Sequence, residues 1–385
     1  MRLGFSVFDV IISGAGPAGS VAAMLLARGG ARVLLLDRAR FPRDKLCGDT
    51  VNPGTLAALR RLGLAERVES HALPIRGMLL TGERRAIVRG EYGVDVHGLS
   101  LLRRDLDAAL LDAAVQAGAR VEEGVLVRGP LVDQSGDRPR VRGVVIAGRD
   151  GHDVRIPAPL VIAADGRRSR IALALHLARH PRWPRRWAVG AYFDGVRGVD
   201  ELGEMHVRHR RYIGVAPVPS GLVNVCVVTA TRAGLEQPAR LLRAAVADDW
   251  YLADRFASAR LATPPVVLGP LAVDVVDARV PGLLLAGDAA GFIDPITGDG
   301  LRFAVCGAEL AAAVALRALE RRSGDPQGAL VRLRRRAFAA KWRFNRSVRR
   351  LVAAPSALNA AGLAATVAPS VFRRVIAFAG DVRRT

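Results

Sequence analysis

The chain has 385 residues, half of them apolar, and a formal net charge of +21. That length exceeds one small domain and sets an expectation of two intimately joined domains. Three cysteines without Cys-x-x-Cys or metal-ligand spacing exclude a disulfide framework and a zinc site, and fit a reducing cytoplasm.

Of the 57 basic residues, all but Lys45 and Lys341 are arginine, a skew that coding bias produces as readily as function. The charge is therefore a poor guide to a partner, although fifteen basic and two acidic residues crowd into 321–385. No secretory leader is expected, because the apolar residues 10–27 belong to a βαβ unit.

That unit opens the chain. An apolar run at 10–12 reads as a buried strand, followed by Gly14, Gly16 and Gly19, a helix over 21–28, a second strand over 32–36, and Asp37. Each part suits a dinucleotide. Gly14 permits a tight strand-to-helix turn, Gly16 lets backbone approach a pyrophosphate, and Gly19 lets helix and strand pack closely. The helix N-terminus offers free N–H groups to phosphates, and Asp37 can accept from ribose hydroxyls.

Residues 38–49 are a polar, Gly/Pro-punctuated loop, and 55–70 resume a helical spacing. Short strands are expected within 74–92. A helix is expected over 99–117, with Leu102, Leu106, Ala109 and Leu110 on one face. The runs 121–127 and 141–147 read as a strand pair joined by a turn at 133–139. A buried strand over 160–164 ends at Asp165-Gly166. Residues 187–230 are mostly strands, and His206 and His209 among arginines read as part of a solvated basic strand. Helices are expected within 236–260, then a third buried strand ending at Gly287-Asp288, a glycine-rich loop, and a helix from Leu301. The uncharged stretch 351–372 has bilayer-spanning length. Its Ala, Gly and proline content favours short packed helices instead.

Asp37, Asp165 and Asp288 thus stand at three strand ends, where ligands of open parallel sheets collect. Three such ends over 250 residues imply one extended ligand, FAD rather than a nicotinamide dinucleotide.

Three segments carry a family resemblance. They are Gly14-x-Gly16-x-x-Gly19 with Asp37-Arg38, Ala164-Asp-Gly-Arg-Arg-Ser-Arg170, and Ala286-Gly-Asp288 through Pro295-Ile-Thr-Gly298-Asp-Gly300. In that order they resemble the fingerprints of para-hydroxybenzoate hydroxylase-like flavoproteins, over roughly residues 8–310. The resemblance implies an α/β fold: a Rossmann-like FAD-binding domain with a parallel sheet, interleaved with a mixed β-sheet substrate domain, plus C-terminal helices. The FAD-binding pieces are expected at 1–72, 98–180 and 260–325. The substrate domain is expected at 73–97 and 181–259, and the basic helical region at 326–385. The cofactor set implied is Gly14, Gly16, Gly19, Asp37, Arg38, Arg103, Asp165, Gly166, Asp288, Pro295, Gly298 and Gly300. Arg168 or Arg170 would add charge near the pyrophosphate, and Gly298-Asp299-Gly300 would open a helix toward the flavin ring.

Within the superfamily, Arg43-Asp-Lys-Leu-Cys47-Gly48-Asp49 looks like the Lys-x-Cys-Gly segment of geranylgeranyl reductases. Tyr212-Ile-Gly-Val-Ala-Pro217 resembles their Tyr-x-Trp-x-Phe-Pro substrate motif, with Gly214 and Ala216 replacing the two aromatic rings. The catalytic candidates are accordingly Cys47, Gly48 and Tyr212. The implied activity is FAD-dependent reduction of C=C bonds in a hydrophobic, isoprenoid substrate, with NAD(P)H as a transient electron donor. A flavin monooxygenase acting on an apolar or aromatic metabolite is the alternative. A third reading is a basic flavoprotein whose C-terminal region, with Phe338, Trp342 and Phe344 among arginines, serves only to touch a membrane or nucleic acid; the favoured expectation is a C-terminal helix that packs these aromatics on the catalytic domain. The expected setting is cytoplasmic with peripheral membrane contact through that region, without nucleic acid or metal.

Overall fold

In the computed structural model, residues 8–135, 139–148, 150–183, 185–276, 279–321, 325–353 and 368–382 are described. Most of the uncharged stretch at 351–372 lies outside them.

The apolar runs form a five-stranded parallel sheet in the order Leu283–Leu285, Leu160–Ala163, Val10–Ser13, Val33–Asp37, Arg120–Glu123. Every residue of its four apolar strands is buried, so both faces are covered and no polar alternation appears. Helices Pro17–Arg28, Arg103–Gln116 and Gly300–Arg321 fill one face through a core that includes Met24, Leu106 and Val305. An antiparallel layer of Val127–Asp133, Arg140–Ala147 and Asp153–Pro157 covers the other. The three acid-bearing strands fall within four neighbouring positions, with Val10–Ser13 between two of them, so their carboxyl ends line one edge of the sheet.

Some boundaries differ from the sequence reading, each for a local reason. The run 121–127 is split at Gly124, whose φ of +73° turns the chain. Its first half joins the parallel sheet, and Val127–Asp133 begins the antiparallel layer. Gly63, at φ +71°, likewise divides 55–70 into helices Pro53–Arg61 and Ala65–Glu69. Residues Gly98–Ser100 pair with Thr50–Val51 and Leu73–Ile75, and the helix starts only at Arg103.

The second large sheet has eight strands. Its path runs Arg260–Leu261, Trp187–Asp194, Val223–Thr229, Arg211–Pro217, Leu202–Arg208, Gly77–Thr81, Ile87–Glu91, with Val266–Leu268 also paired to Trp187–Asp194. It is mixed, because Leu202–Arg208 runs parallel to Gly77–Thr81. The sheet therefore extends to residue 268, past the expected boundary at 259.

His206 is not on a solvated strand. Leu202–Arg208 lies inside the sheet, and His206 is buried between Thr81 Oγ1 at 2.9 Å and Glu204 Oε2 at 3.0 Å. Arg208 beside it is buried against Asp249, 2.9 Å away.

The basic C-terminal region forms helices Pro326–Ala353 and Pro369–Ala379. Its aromatics turn inward. Phe338 is buried and meets Phe303 edge-on at 5.1 Å, and Phe344 meets Phe378 at 5.0 Å. They hold the helices on the catalytic body rather than forming a stacking stripe.

The tightest backbone junction is at the first helix. A Cβ on Gly19 would overlap the Gly14 carbonyl, and one on Gly14 would stand 2.5 Å from the Ala164 carbonyl. Gly19→Ala should lower the stability of the flavin-free protein by about 1–3 kcal/mol, read by chemical denaturation. An unchanged midpoint and slope would contradict the close packing.

Candidate active site

Glycines at the carboxyl edge of the parallel sheet fall into two kinds. Gly14 and Gly19 are required by the chain's own packing, as above. Gly16 is different: a Cβ there would meet only Arg43 Nη2, at 3.6 Å. At Gly166 and Gly298 nothing lies within 4 Å, although both hold positive φ, +81° and +67°. At Gly300 the nearest atom is on Phe292 at 3.7 Å, and at Gly48 it is Thr50 Oγ1 at 3.9 Å. The chain thus leaves room beside the first helix, beside Asp165, at the Cys47-Gly48 loop and at the start of Gly300–Arg321.

The polar groups around that room are under-satisfied. Asp165 ends its strand and accepts from the Arg170 N–H at 2.9 Å through Oδ2. Its Oδ1 is sealed from solvent without a hydrogen-bond partner among the described residues. Burial, with Asp37 close by, pushes this carboxyl above the usual range despite hydrogen bonds that oppose it. Arg167 Nε is orphaned in the same way, and burial beside Arg168 disfavours its charge while Asp288 favours it. The sequence reading gave this charge to Arg168 or Arg170. In the structure both are exposed, with Arg168 donating to the Gly269 carbonyl at 2.8 Å, and Arg167 is the inward one.

Asp37 is 9% exposed, and its carboxylate accepts from Ala15 N–H at 2.7 Å and Ala39 N–H at 2.8 Å. Oδ2 holds the glycine turn at Ala15 and Oδ1 holds the chain just past its own strand at Ala39, with lone pairs to spare for a ribose. Arg38 points to solvent.

Arg103, the first residue of its helix, is buried and grips Asp107 with two bonds of 2.9 Å. Arg43 reaches the same carboxylate at 3.1 Å from the preceding loop. Lys45 lies close enough to feel Arg103, Asp288, Asp107 and Arg43, and desolvation pushes its ammonium below the usual lysine value. Three cations against Asp107 and Asp288 leave the cradle net positive beside the first helix's N-terminus, as a pyrophosphate needs. Asp107 went unremarked in the sequence, and Lys45 was read only as part of the Cys47-Gly48 loop.

At the other end, Pro295–Thr297 is one turn of 3₁₀ helix, and Gly298 leads into the 22-residue helix Gly300–Arg321. Asp294 organises this loop. It accepts from Tyr212 Oη at 2.6 Å, Arg186 Nη1 at 3.0 Å and Ile296 N–H at 3.1 Å. Tyr212 is 2% exposed, so its hydroxyl fixes the loop against the large sheet.

Asp299 is buried and takes Lys341 Nζ at 3.2 Å and Asn52 Nδ2 at 3.3 Å. Lys341 also donates to the Phe378 and Ala379 carbonyls, at 2.6 and 2.9 Å. It thereby ties both C-terminal helices to the loop. Burial holds Asp299 above the usual carboxylate range even with Lys341 beside it.

The Cys47-Gly48 loop rests on the large sheet. Asn224 donates to the Cys47 carbonyl at 2.8 Å and to Asp49, and Tyr192 Oη donates to Asp49 Oδ2 at 2.6 Å. Leu46, Met205, Cys226, Phe292, Ile296 and Val348 are half-buried around Tyr212 in one apolar cluster.

An open parallel sheet with a phosphate-ready helix end, an unfilled acid at its edge and a second glycine-opened helix defines a dinucleotide-dependent oxidoreductase. The donor set fits FAD. The family model described as "FAD binding domain" matches residues 7–328, and the chain belongs to that family of FAD-dependent oxidoreductases. It is 31% identical over 323 residues to the menaquinone reductase of Mycolicibacterium smegmatis, covering 79% of this chain and 75% of that protein. It is 33% identical over 329 residues to digeranylgeranylglycerophospholipid reductase 1 of Methanopyrus kandleri, covering 81% of each. The solved structure of a geranylgeranyl bacteriochlorophyll reductase-like protein from Thermoplasma acidophilum shares the fold. Its TM-score is 0.78 at 22% identity, over 98% of this chain and 92% of that one.

Two measurements test this site. Gly16→Ala should leave the unfolding of the flavin-free protein unchanged and weaken FAD retention at least about tenfold, or ~1.4 kcal/mol, read by flavin absorbance after gel filtration. Full flavin retention would show that the space beside Gly16 is not used. Lys341→Met should cost about 3 kcal/mol at alkaline pH by stranding the Asp299 charge. Without the cation the Asp299 carboxyl rises further, so the native form holds a proton the unfolded chain has lost. The deficit therefore shrinks on acidification, and a pH-independent deficit would contradict the pairing.

Proposed function

We propose that this chain reduces C=C bonds of a hydrophobic, isoprenoid substrate, drawing electrons through FAD from a transiently docked NAD(P)H. The similarity to reductases whose names denote prenyl-bearing molecules carries this reading. Two features of the chain support it. The Cys47-Gly48 loop is held against the large sheet, and an apolar cluster from Leu46 to Val348 lies beside the loop that ends at Gly298.

FAD, when bound, supplies two-electron hydride chemistry. This chain's residues hold and shape around it. Gly16, Arg43, Lys45 and Arg103 would cradle the phosphates, Asp37, Asp165 and Asp288 would take hydroxyls, and the N–H groups of Gly298–Gly300 would serve the flavin ring. Those N–H groups, at a helix N-terminus, stabilise negative charge that develops on reduction. Leu46, Phe292 and Ile296 exclude water from the apolar substrate. Cys47, beside Cys226 of the apolar cluster, is the nearest thiol of the loop, and Gly48 leaves its turn without a side chain. Tyr212 acts at one remove, through Asp294.

Among the described residues no helix is long and apolar enough to cross a membrane. The surface offered to lipid in this reading is the set of arginines exposed on Pro326–Ala353, among them Arg332, Arg336 and Arg343. They give the helix a cationic outer face suited to anionic headgroups.

The monooxygenase alternative differs in its use of oxygen. In an anaerobic cuvette, flavin reduced with NADPH or dithionite should be reoxidised on adding a polyprenyl alkene. Flavin that stays reduced until air is admitted would contradict reduction and favour oxygenation.

A further inference from the structure

Reducing a C=C bond takes a hydride on one carbon and a proton on the other, so the site needs an acid. The loop after Cys47 and Gly48 ends in an unusual carboxyl. Asp49 is 1% exposed, sits at φ +52°, and has Oδ1 sealed without a partner among the described residues. Its Oδ2 faces the Tyr192 phenol at 2.6 Å. Tyr192 is half-buried and pairs across the sheet with Asn224, the residue that pins Cys47 and Asp49. Loop and sheet therefore meet at Tyr192 and Asn224, and the carboxyl they hold directly follows Gly48, where a Cβ would meet nothing closer than 3.9 Å.

We propose that Tyr192 is the proton donor of the reduction and that Asp49 is the positioning acid behind it. This rests on the C=C reduction proposed above.

The step balances. One alkene carbon takes the hydride carried by the reduced cofactor, and the other takes the Tyr192 proton. The Asp49 carboxylic proton moves to the phenol oxygen, and Asp49 regains a proton from solvent. The alkene gains two electrons and two hydrogens, and the cofactor is left oxidised. The 2.6 Å contact serves both states. With Asp49 ionised, the phenol hydrogen points back to Oδ2. With Asp49 protonated, the carboxyl donates and the phenol hydrogen is free to turn toward the alkene.

The surroundings suit an acid that keeps its proton well above the usual carboxylate range. Burial pushes Asp49 up to about 6, against the opposing bonds from Tyr192 and Asn224 and the charge of Arg103. Burial and Asp49 itself push the Tyr192 phenol well above its usual value, so it gives up its proton only as the carboxyl replaces it. The other titratable groups facing the pair are Cys47, Cys226 and Asp44. Neither Asp49 nor Tyr192 stood out in the sequence, although Asp49 follows the Cys-Gly signature directly.

The test separates the half-reactions in flavin-loaded protein. Tyr192→Phe and Asp49→Asn should keep bound flavin and be reduced by dithionite like the parent. Reoxidation by a polyprenyl alkene without air should slow by about 10²-fold or more in Tyr192→Phe. In the parent that rate should fall as pH rises through 6, and the fall should vanish in Asp49→Asn. An infrared carboxylic-acid band titrating near 6 should be lost in Asp49→Asn and shifted in Tyr192→Phe. Parent-like reoxidation by Tyr192→Phe would overturn the assignment. So would a band that ignores the Tyr192 substitution, and this readout needs no turnover. A parent protein that no alkene reoxidises, with the band behaving as described, would instead overturn the reductase reading.

Discussion

The structure depends on the close approach of three backbones at Gly14, Gly19 and Ala164. A side chain at either glycine would strike a carbonyl oxygen of its neighbour. The first helix can therefore lie with its N-terminus directly at the carboxyl edge of the parallel sheet. Asp37 completes the junction by accepting from Ala15 and Ala39. The groups proposed to bind phosphate gather at this corner, including Arg43, whose guanidinium lies beside Gly16.

From that corner the site extends to a second helix end, at Gly300, and there the architecture works by attachment. Asp294 and Asp299 bracket the Pro295–Gly298 turn and fasten it in opposite directions. Asp294 reaches the large sheet through Tyr212 and Arg186. Asp299 reaches the C-terminal helices through Lys341 and the helix Pro53–Arg61 through Asn52. A further tie runs from Arg302 to Asp381, at 2.5 Å. A loop held from three sides keeps its N–H groups aimed without help from a ligand, which is what preorganised charge stabilisation requires.

Much of this was legible in the chain. Continuous apolar runs ending at Asp37, Asp165 and Asp288 read correctly as buried parallel strands, because nothing but full burial on both faces calls for such runs. The roles of Gly14 and Gly19 were legible from spacing. What could not be read were contacts made by residues far apart in sequence. Tyr212 looked like a substrate contact, but its partner Asp294 lies 82 residues away. Lys341 fell outside the segments that carry the resemblance and is buried on Asp299. One signal was available and overlooked: in a chain whose other basic residues are all arginine, both lysines end beside acids of the candidate site, Lys45 near Asp107 and Asp288 and Lys341 on Asp299. A compact ammonium on a flexible stem fits narrow, partly desolvated sites where a planar guanidinium does not. Local backbone breaks at Gly63 and Gly124 were also missed, since a left-handed glycine inside an otherwise regular pattern leaves no periodic trace.

The central claim is that this flavoprotein adds hydrogen to an apolar alkene. The most direct test is the mass of the product formed from a polyprenyl substrate by the flavin-loaded protein, supplied with NADPH in air. The account predicts a product heavier by two hydrogens for each bond reduced, with no oxygen incorporated. A product that has gained an oxygen atom instead would contradict it.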